Sequence, residues 1–187
     1  YGMKTSLLSF TSDLEIASFY ACCEKNKNGE YQPVTVKSGE EKRGILYMFN
    51  MMAPFSMTPG LSSVGKQAFP RCGLQKTFAL NVQKGQDLRN HRFVVGFVFR
   101  HDSEISKRIF HRFNSGQSLE PDDDLMASKS KEILESKVIS TLAFDRNLSL
   151  NPNDNPVDNQ QEIYKKEFSL SADRITTFTS DELNIYY

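Results

Sequence analysis

The stretch YGMKTSLLSFTSDLEIASFYACCEK, residues Tyr1–Lys25, predicts a strand, a tight turn and a buried helix in succession. Its first half is an apolar run interrupted by hydroxyl-bearing residues, among them Ser9 and Thr11. Ser12, followed three residues later by Glu15, is a capping-box signature of a helix start. The residues that follow are apolar on most faces of a helix, which indicates burial. Ser9 and Thr11 are therefore expected at a strand end, beside a helix N-terminus that favours anions.

The composition is that of a folded protein without a strong electrostatic field. The chain has 187 residues, a length that suits one domain with a sizeable core, and 39% of them are apolar, which argues against general disorder. The 23 basic and 23 acidic residues cancel, so no net charge attracts nucleic acid or a membrane. No run approaches the roughly 20 apolar residues of a membrane span. We expect a single cytoplasmic domain over residues 1–187, with no membrane partner.

Neither the cysteines nor the histidines are spaced as metal ligands. Cys22 and Cys23 are adjacent on the predicted buried helix, and with Cys72 they make an odd number. We interpret them as small buried residues of a reducing compartment, in preference to a disulfide or a metal site. The histidines are isolated from one another and lack the paired spacing of a zinc site. The sequence therefore predicts no metal.

The remaining sequence predicts further strands and helices. Arg92–Arg100 is the most apolar run, and its apolarity on both faces indicates a central strand. Residues 122–124 are three consecutive aspartates, which we interpret as a helix start in preference to a metal site, because neighbours rarely converge on one ion. Asn-Pro pairs in residues 148–162 predict an exposed loop. The predicted strands are residues 44–50, 70–82, 92–100, 167–170 and 174–178, and the predicted helices are residues 101–113 and 122–144.

The first stretch resembles the FRG domain family, which is named for a Phe-Arg-Gly motif. Members carry a Tyr/His-Gly-x-x-Thr-x-Leu-Leu-Asp-x-Thr segment and then a helix of small and aromatic residues. Here the segment reads YGMKTSLLSFT over residues 1–11, and the helix carries ASFYAC over residues 17–22. Ser9 stands where the family has Asp, and Ser6 where it has Arg. The Phe-Arg-Gly motif lies upstream in the family, so we expect a domain truncated at its N-terminus, and further domains upstream are compatible with this.

The same segment is similar to a wider pattern, that of enzymes that transfer ADP-ribose from NAD. Those enzymes carry an Arg or His on a first strand, Ser-x-Ser/Thr on a second and Glu or Gln on a later one. Ser9-Phe10-Thr11 resembles the second motif. Arg71-Cys72-Gly73-Leu74-Gln75 resembles an Arg-x-x-x-Gln strand of the FRG family, with Gln75 as the third motif. The resemblance implies an α+β fold whose mixed sheet is like the split sheet of ADP-ribosyltransferases, and a transferase such as a toxin or an anti-phage effector.

The resemblance also implies chemical roles. Cleavage of the nicotinamide–ribose bond passes through an oxocarbenium-like state, which a group hydrogen-bonded to the ribose hydroxyls stabilises. Gln75 takes that catalytic role, although a neutral amide acts more weakly than Glu and is no general base. Ser9 and Thr11 brace the strand end or contact the nicotinamide side of NAD, and Tyr1 or Tyr20 stacks on the ring. NAD is the expected substrate, no metal is needed, and the acceptor is either protein or nucleic acid.

Each role has a structural alternative. Ser9 and Thr11 are equally interpreted as caps of a turn and a helix, Gln75 as an exposed or backbone-bonded amide, and Tyr20 as a core residue. Gln160–Glu162 is a rival for the third motif, since Gln-x-Glu before a strand occurs in such transferases. The alternative functions are a non-catalytic module on the same fold that binds a ligand or nucleic acid, and a domain that acts only by protein contacts.

Overall fold

The computed structural model describes residues 7–50, 61–63, 70–82, 87–90, 93–150, 155–172 and 179–183. The chain divides into two compact units. We call Lys4–Asp124 the large unit, and Tyr1–Met3 together with Leu125–Tyr187 the small unit. Both contain helices and strands, so the predicted α+β class is confirmed. The assignment of the whole chain to a single domain stays a prediction.

Helices and short antiparallel sheets make up the large unit. A three-stranded sheet has the order β1-β6-β5, and β2 pairs with β3 and β4 with β7 in two further sheets. The elements are β1 (Leu7–Thr11), α1 (Leu14–Cys22), β2 (Cys23–Lys25), β3 (Tyr31–Pro33), β4 (Arg43–Phe49), β5 (Leu61–Ser63), α2 (Pro70–Leu74), β6 (Thr77–Asn81), β7 (Val94–Arg100) and α3 (Ser103–Arg112), with 3-10 turns at Leu88–Asn90 and Asn114–Gly116.

Phe19 lies at the centre of the core of the large unit. Its side chain is 0% exposed, and its ring centroid is 4.9 Å from that of Tyr31 and 5.3 Å from that of Phe113. Ile16 and Leu119 complete the contacts around it, with partly buried hydrophobic residues of α3 packed alongside. The buried face of α1 is thus covered by β3, α3 and the segment that follows α3. The prediction of a buried helix is confirmed for that face only, since Leu14 and Tyr20 are 67% and 39% exposed.

Helix α1 follows β1 as the sequence predicts, but its cap is a different residue. Asp13 is the N-cap, and its Oδ1 accepts hydrogen bonds from the backbone N–H groups of Glu15 and Ile16 at 2.8 and 3.4 Å. Asp serves as an N-cap as well as Ser does. The prediction of a capping box between Ser12 and Glu15 is therefore wrong. The Asp13 carboxylate, paired with Lys76 at 2.6 Å, occupies the helix N-terminus where an anion was expected.

The sequence predicts a single strand over residues 70–82, but the structure has a helical turn followed by a strand there. Pro70 begins α2, a position that its fixed φ angle favours. The backbone N–H of Gln75 donates to the Arg71 carbonyl at 2.8 Å, and Lys76 adopts a φ of 48° that ends the helical turn. Strand β6 begins only at Thr77. The local preference of Pro70 and the reversal at Lys76 override the apolar pattern.

Strands β4 and β7 confirm two sequence predictions and correct a third. They pair antiparallel over seven residues, with Tyr47 opposite Gly96. Among the described residues they form a two-stranded sheet, so the central position expected for 92–100 is not found there. Phe97 and Val98 are 50% and 63% exposed, which shows that an apolar strand need not be a buried one.

The small unit holds shorter elements than the sequence predicts. Its elements are α4 (Leu125–Ser136), β8 (Val138–Ser140), α5 (Thr141–Leu150), α6 (Pro156–Lys165), β9 (Ser169–Ser171) and α7 (Ser180–Leu183). The single helix predicted over 122–144 is wrong. The three aspartates precede α4, and Lys137 has a φ of 52° that interrupts the helical path. Strand β8, which follows this break, pairs in parallel with β9.

The predicted exposed loop over 148–162 is also corrected. Helix α5 extends to Leu150, and α6 begins at Pro156. The Asn155 side chain accepts a hydrogen bond from the backbone N–H of Val157 at 2.9 Å, which makes it the N-cap of α6. Asn-Pro, interpreted as a turn signal, is here a cap followed by proline at the first helical position. The strand predicted at 174–178 lies outside the described residues.

Candidate functional site

The hydroxyl residues of the predicted site lie on β1, which pairs antiparallel with β6. Ser9 is exposed and opposite Ala79, and Thr11 is half-buried and opposite Thr77. The Thr11 hydroxyl oxygen accepts a hydrogen bond from the backbone N–H of Asp13 at 3.1 Å. Thr11 therefore stabilises the turn into α1, whereas the side chain of Ser9 lies at the surface.

Gln75 lies at the same end of this sheet. The backbone N–H of Ser12 donates to the Lys76 carbonyl at 3.2 Å, which joins the end of β1 to the turn that precedes β6. The side-chain Nε2 of Gln75 donates to the Leu119 carbonyl at 3.2 Å. The backbone thus brings the hydroxyl-bearing strand end and the turn that carries Gln75 together, and the Gln75 amide is anchored to a third segment.

Tyr20 lies in a polar cluster centred on Glu120. The Tyr31 hydroxyl donates to Glu120 Oε1 at 2.6 Å, and the Tyr20 hydroxyl lies 3.5 Å from the same oxygen. The Tyr20 ring packs edge-on against Phe19 and Tyr31, and 39% of the residue stays exposed. Tyr20 is therefore both a packing residue and a partly open aromatic surface.

Two cations complete this group, which we call the Glu120 cluster. Lys25 Nζ and Arg71 Nη1 lie 2.8 and 3.2 Å from Glu120 Oε2, and Arg71 Nε lies 3.0 Å from Asp124 Oδ2. The Glu120 side chain is 16% exposed and that of Asp124 is 0% exposed. Charges so far from water need partners, and two carboxylates here face two cations. The cluster comprises Tyr20, Lys25, Tyr31, Arg71, Glu120 and Asp124.

The cluster fixes the protonation states of its members. Burial acts to raise the pKa of Glu120, but the hydrogen bonds from Lys25 and Tyr31 and the charges of Lys25 and Arg71 hold that pKa below its ordinary value of 4.5. Burial, reinforced by the negative charge of Glu120, raises the pKa of Tyr20 and of Tyr31. At neutral pH the carboxylate is ionised and both phenols remain protonated donors.

We expect Glu120→Gln to lower the free energy of unfolding at pH 7 by roughly 1–3 kcal/mol, because Lys25 and Arg71 lose a largely buried anionic partner. The folded-state pKa of Glu120 lies below its unfolded value. Its contribution is therefore complete above pH 4.5 and is lost as the pH falls through the folded-state pKa. In urea unfolding between pH 7 and pH 3, the free energy of unfolding should fall less with decreasing pH in the variant than in the parent.

The control is Glu132→Gln, which removes a carboxylate that is 56% exposed and pairs with Lys129 along α4. An exposed pair of this kind contributes little. Equal changes in the pH dependence of the two variants would show that the Glu120 cluster contributes no more than a surface pair.

The remaining candidate residues lie elsewhere. Tyr1 is outside the described residues, so its proposed stacking role stays a prediction. The rival third motif, Gln160–Glu162, belongs to α6 in the small unit, where Glu162 pairs with Lys166 at 3.3 Å. Among the described residues, no three His, Cys, Asp or Glu side chains are grouped as metal ligands. In the same part of the chain, no helix has the length and apolarity to cross a bilayer.

The cysteines are free thiols. Cys22 and Cys23 are buried, as the sequence predicts, and Cys72 is half-buried. Burial, with the neighbouring Cys22 charge, raises the pKa of the Cys23 thiol to about 11. A thiol with so high a pKa is a poor nucleophile at neutral pH, so Cys23 acts as a packing group.

Sequence reasoning did not select Glu120, Lys25 or Arg71 as site residues. Arg71 stands four residues before Gln75, a spacing that places both on one side of a helical turn, but the apolar pattern of the segment predicts a strand. Glu120 lies in a polar segment, and its partner Tyr31 is 89 residues away in the chain. No local pattern signals a contact of that span.

In comparisons with protein-family models, curated proteins and solved structures, none matches the chain. The arrangement at the end of β1 and β6, together with the Glu120 cluster, therefore has to be interpreted from its own geometry and from the motifs in the sequence.

Proposed function

We propose that the large unit is an FRG-type domain that binds NAD and transfers its ADP-ribose. The observation that carries the proposal is the backbone contact between Ser12 and Lys76, which brings the Ser9-Phe10-Thr11 segment and the turn of Gln75 to one end of one sheet. In the sequence these two motifs are 64 residues apart by number, 75 minus 11. Their meeting is what a shared substrate site requires.

Each residue has a role that its surroundings allow. Ser9, whose side chain is exposed, contacts the nicotinamide side of NAD, and Thr11 braces the strand end through its bond to Asp13. The Gln75 carboxamide accepts a hydrogen bond from a ribose hydroxyl and so stabilises positive charge that develops during cleavage. Tyr20 offers the exposed part of its ring for stacking.

The finer fold expectation belongs to the same proposal. The separate antiparallel sheets β1-β6-β5 and β4-β7 within the large unit support a resemblance to the split sheet of ADP-ribosyltransferases. The parallel pairing of β8 with β9 lies in the small unit and does not contribute to that sheet.

Isothermal titration with NAD and a nicotinamide-release assay test the function. We expect the parent chain to bind NAD and release nicotinamide, and Gln75→Ala to slow release by about 10- to 100-fold, because it removes a group that stabilises developing charge. Gln160→Ala, at the glutamine of the rival motif on α6, is the matched control and should leave release unchanged. The proposal would be overturned if the parent neither bound NAD nor released nicotinamide. A loss confined to Gln160→Ala would transfer the third motif to α6.

A second candidate is a non-catalytic module on the same fold that binds a ligand or nucleic acid. The observation in its favour is that polar groups of both predicted motifs serve the fold, since Thr11 accepts from Asp13 and Gln75 donates to Leu119. A Ser9→Ala, Gln75→Ala double variant that binds as well as the parent, with turnover in neither, would favour this candidate over the transferase.

A further inference from the structure

Two hydrogen bonds, one peptide bond and one ion pair form a closed ring between α2 and the segment around Glu120. The backbone N–H of Gln75 donates to the Arg71 carbonyl at 2.8 Å, and the Gln75 side chain donates to the Leu119 carbonyl at 3.2 Å. Leu119 is joined to Glu120 by the peptide bond, and Glu120 returns to Arg71 through their ion pair at 3.2 Å. The ring thus begins and ends at Arg71 and contains the Gln75 carboxamide as one of its links.

Both charged members of the ring are held from outside it. Glu120 also receives hydrogen bonds from Tyr31 and Lys25 at 2.6 and 2.8 Å. Arg71 also pairs with Asp124 at 3.0 Å, and that carboxylate is fully buried. A planar guanidinium that contacts two carboxylates has a fixed orientation, because its N–H groups form a rigid fork. Arg71 and Glu120 are therefore anchored more firmly than the Gln75 amide is by itself.

We propose that Arg71 and Glu120 are positioning residues that hold the Gln75 carboxamide in a single orientation, with its Oε1 presented to a hydroxyl group of the ligand. A carbonyl oxygen only accepts hydrogen bonds, so the amide group that faces Leu119 has to be the NH₂. The opposite side of the carboxamide is the acceptor oxygen. The chemical class that it recognises is a hydrogen-bond donor, and in NAD the ribose hydroxyls are such donors. That last step rests on the proposed function, whereas the fixed orientation does not.

The orientation of Gln75 is testable without any ligand. In the ¹⁵N-labelled parent chain, the side-chain NH₂ signals of Gln75 are identified by their loss in Gln75→Ala. We expect Glu120→Gln and Arg71→Met to speed the exchange of these protons with water at least about fivefold, which corresponds to the loss of about one hydrogen bond. Lys25→Gln is the comparison variant, because it removes a contact to Glu120 that lies outside the ring. Tyr31 and Arg71 still hold Glu120, so it should speed that exchange clearly less than Glu120→Gln does.

Arg71→Met leaves the buried Asp124 carboxylate without this cation, which by itself destabilises the fold. The double variant Arg71→Met, Asp124→Asn breaks the ring without leaving that charge behind. Exchange that stays at the parent rate in Glu120→Gln and in the double variant would overturn the inference. An equal increase in Lys25→Gln would also overturn it, because the effect would then belong to the cluster as a whole.

Titration with NAD separates the positioning role from the proposed function. In a parent that binds NAD, Glu120→Gln should raise Kd by roughly five- to tenfold and should add little in the Gln75→Ala background, because the two residues act through one group. Additive effects would contradict positioning. If the parent chain does not bind NAD, the proposed function is refuted. The exchange measurement then still decides whether the ring orients Gln75.

Discussion

Replacing Gly116 by alanine is expected to lower the free energy of unfolding by about 2–5 kcal/mol. Gly116 has a φ of +98°, a conformation that costs a residue with a Cβ roughly 1–2 kcal/mol. The added Cβ would also lie 2.6 Å from Tyr31 Cδ2 and 3.2 Å from Phe19 Cζ. Both rings belong to the core of the large unit, where overpacking typically costs about 1–3 kcal/mol. Urea unfolding followed by circular dichroism measures the loss.

Gly29→Ala separates the two causes. Gly29 has a φ of +84°, close to that of Gly116, but a Cβ there would have no atom within 4 Å. We expect this variant to lose only the backbone part, about 1–2 kcal/mol. If the two alanine variants were destabilised equally, the backbone conformation alone would require glycine at position 116, and contact with the Tyr31 and Phe19 rings would not.

Phe19→Ala should lower the free energy of unfolding by about 3–5 kcal/mol, the usual cost of removing a fully buried aromatic side chain. The ring contacts Tyr31, Phe113 and Tyr20, with centroid distances between 4.9 and 5.5 Å, so its removal leaves a cavity that several elements border. The measurement is again the urea midpoint and slope, since a change of midpoint at constant slope reports stability alone.

Tyr20→Ala is the comparison for Phe19→Ala, because Tyr20 is the next residue of the same helix and is 39% exposed. It should cost clearly less, since a residue that is partly exposed in the folded state loses less buried apolar area on truncation. A loss below about 1 kcal/mol in Phe19→Ala would contradict the central place of this ring and would require the cavity to collapse almost completely.

Apolar spacing and capping residues in the sequence predict most of the helices and strands, but single residues with unexpected backbone conformations change where these elements begin and end. The β1–α1 succession follows from capping chemistry and apolar spacing, although Asp13 rather than Ser12 is the cap. The failures at 70–82 and 122–144 share one cause. Lys76 and Lys137 both adopt positive φ values. Glycine and asparagine usually indicate this conformation in a sequence, and neither stands at these two positions. The Asn-Pro signal before α6 was ambiguous between a turn and a cap.

The candidate site was predictable only in part, for a different reason. Ser9, Thr11 and Gln75 were selected from motifs, and the backbone brings their segments together. Of the charged residues in the Glu120 cluster, Arg71 shares a motif with Gln75, whereas Glu120 and Lys25 lie in segments without a motif or a period. Glu120 contacts Arg71 and Lys25 across 49 and 95 residues of chain, and only the folded core determines those contacts.

The long reach of Glu120 also determines when the large unit can form. Its carboxylate closes on Tyr31 and Lys25, which precede it by 89 and 95 residues, and Leu119 beside it completes the core around Phe19. Contacts of such sequence separation slow folding, because a long loop has to close before they contribute. During synthesis the core of the large unit therefore stays incomplete until the last few residues of that unit have left the ribosome, whatever helices and strands have formed before.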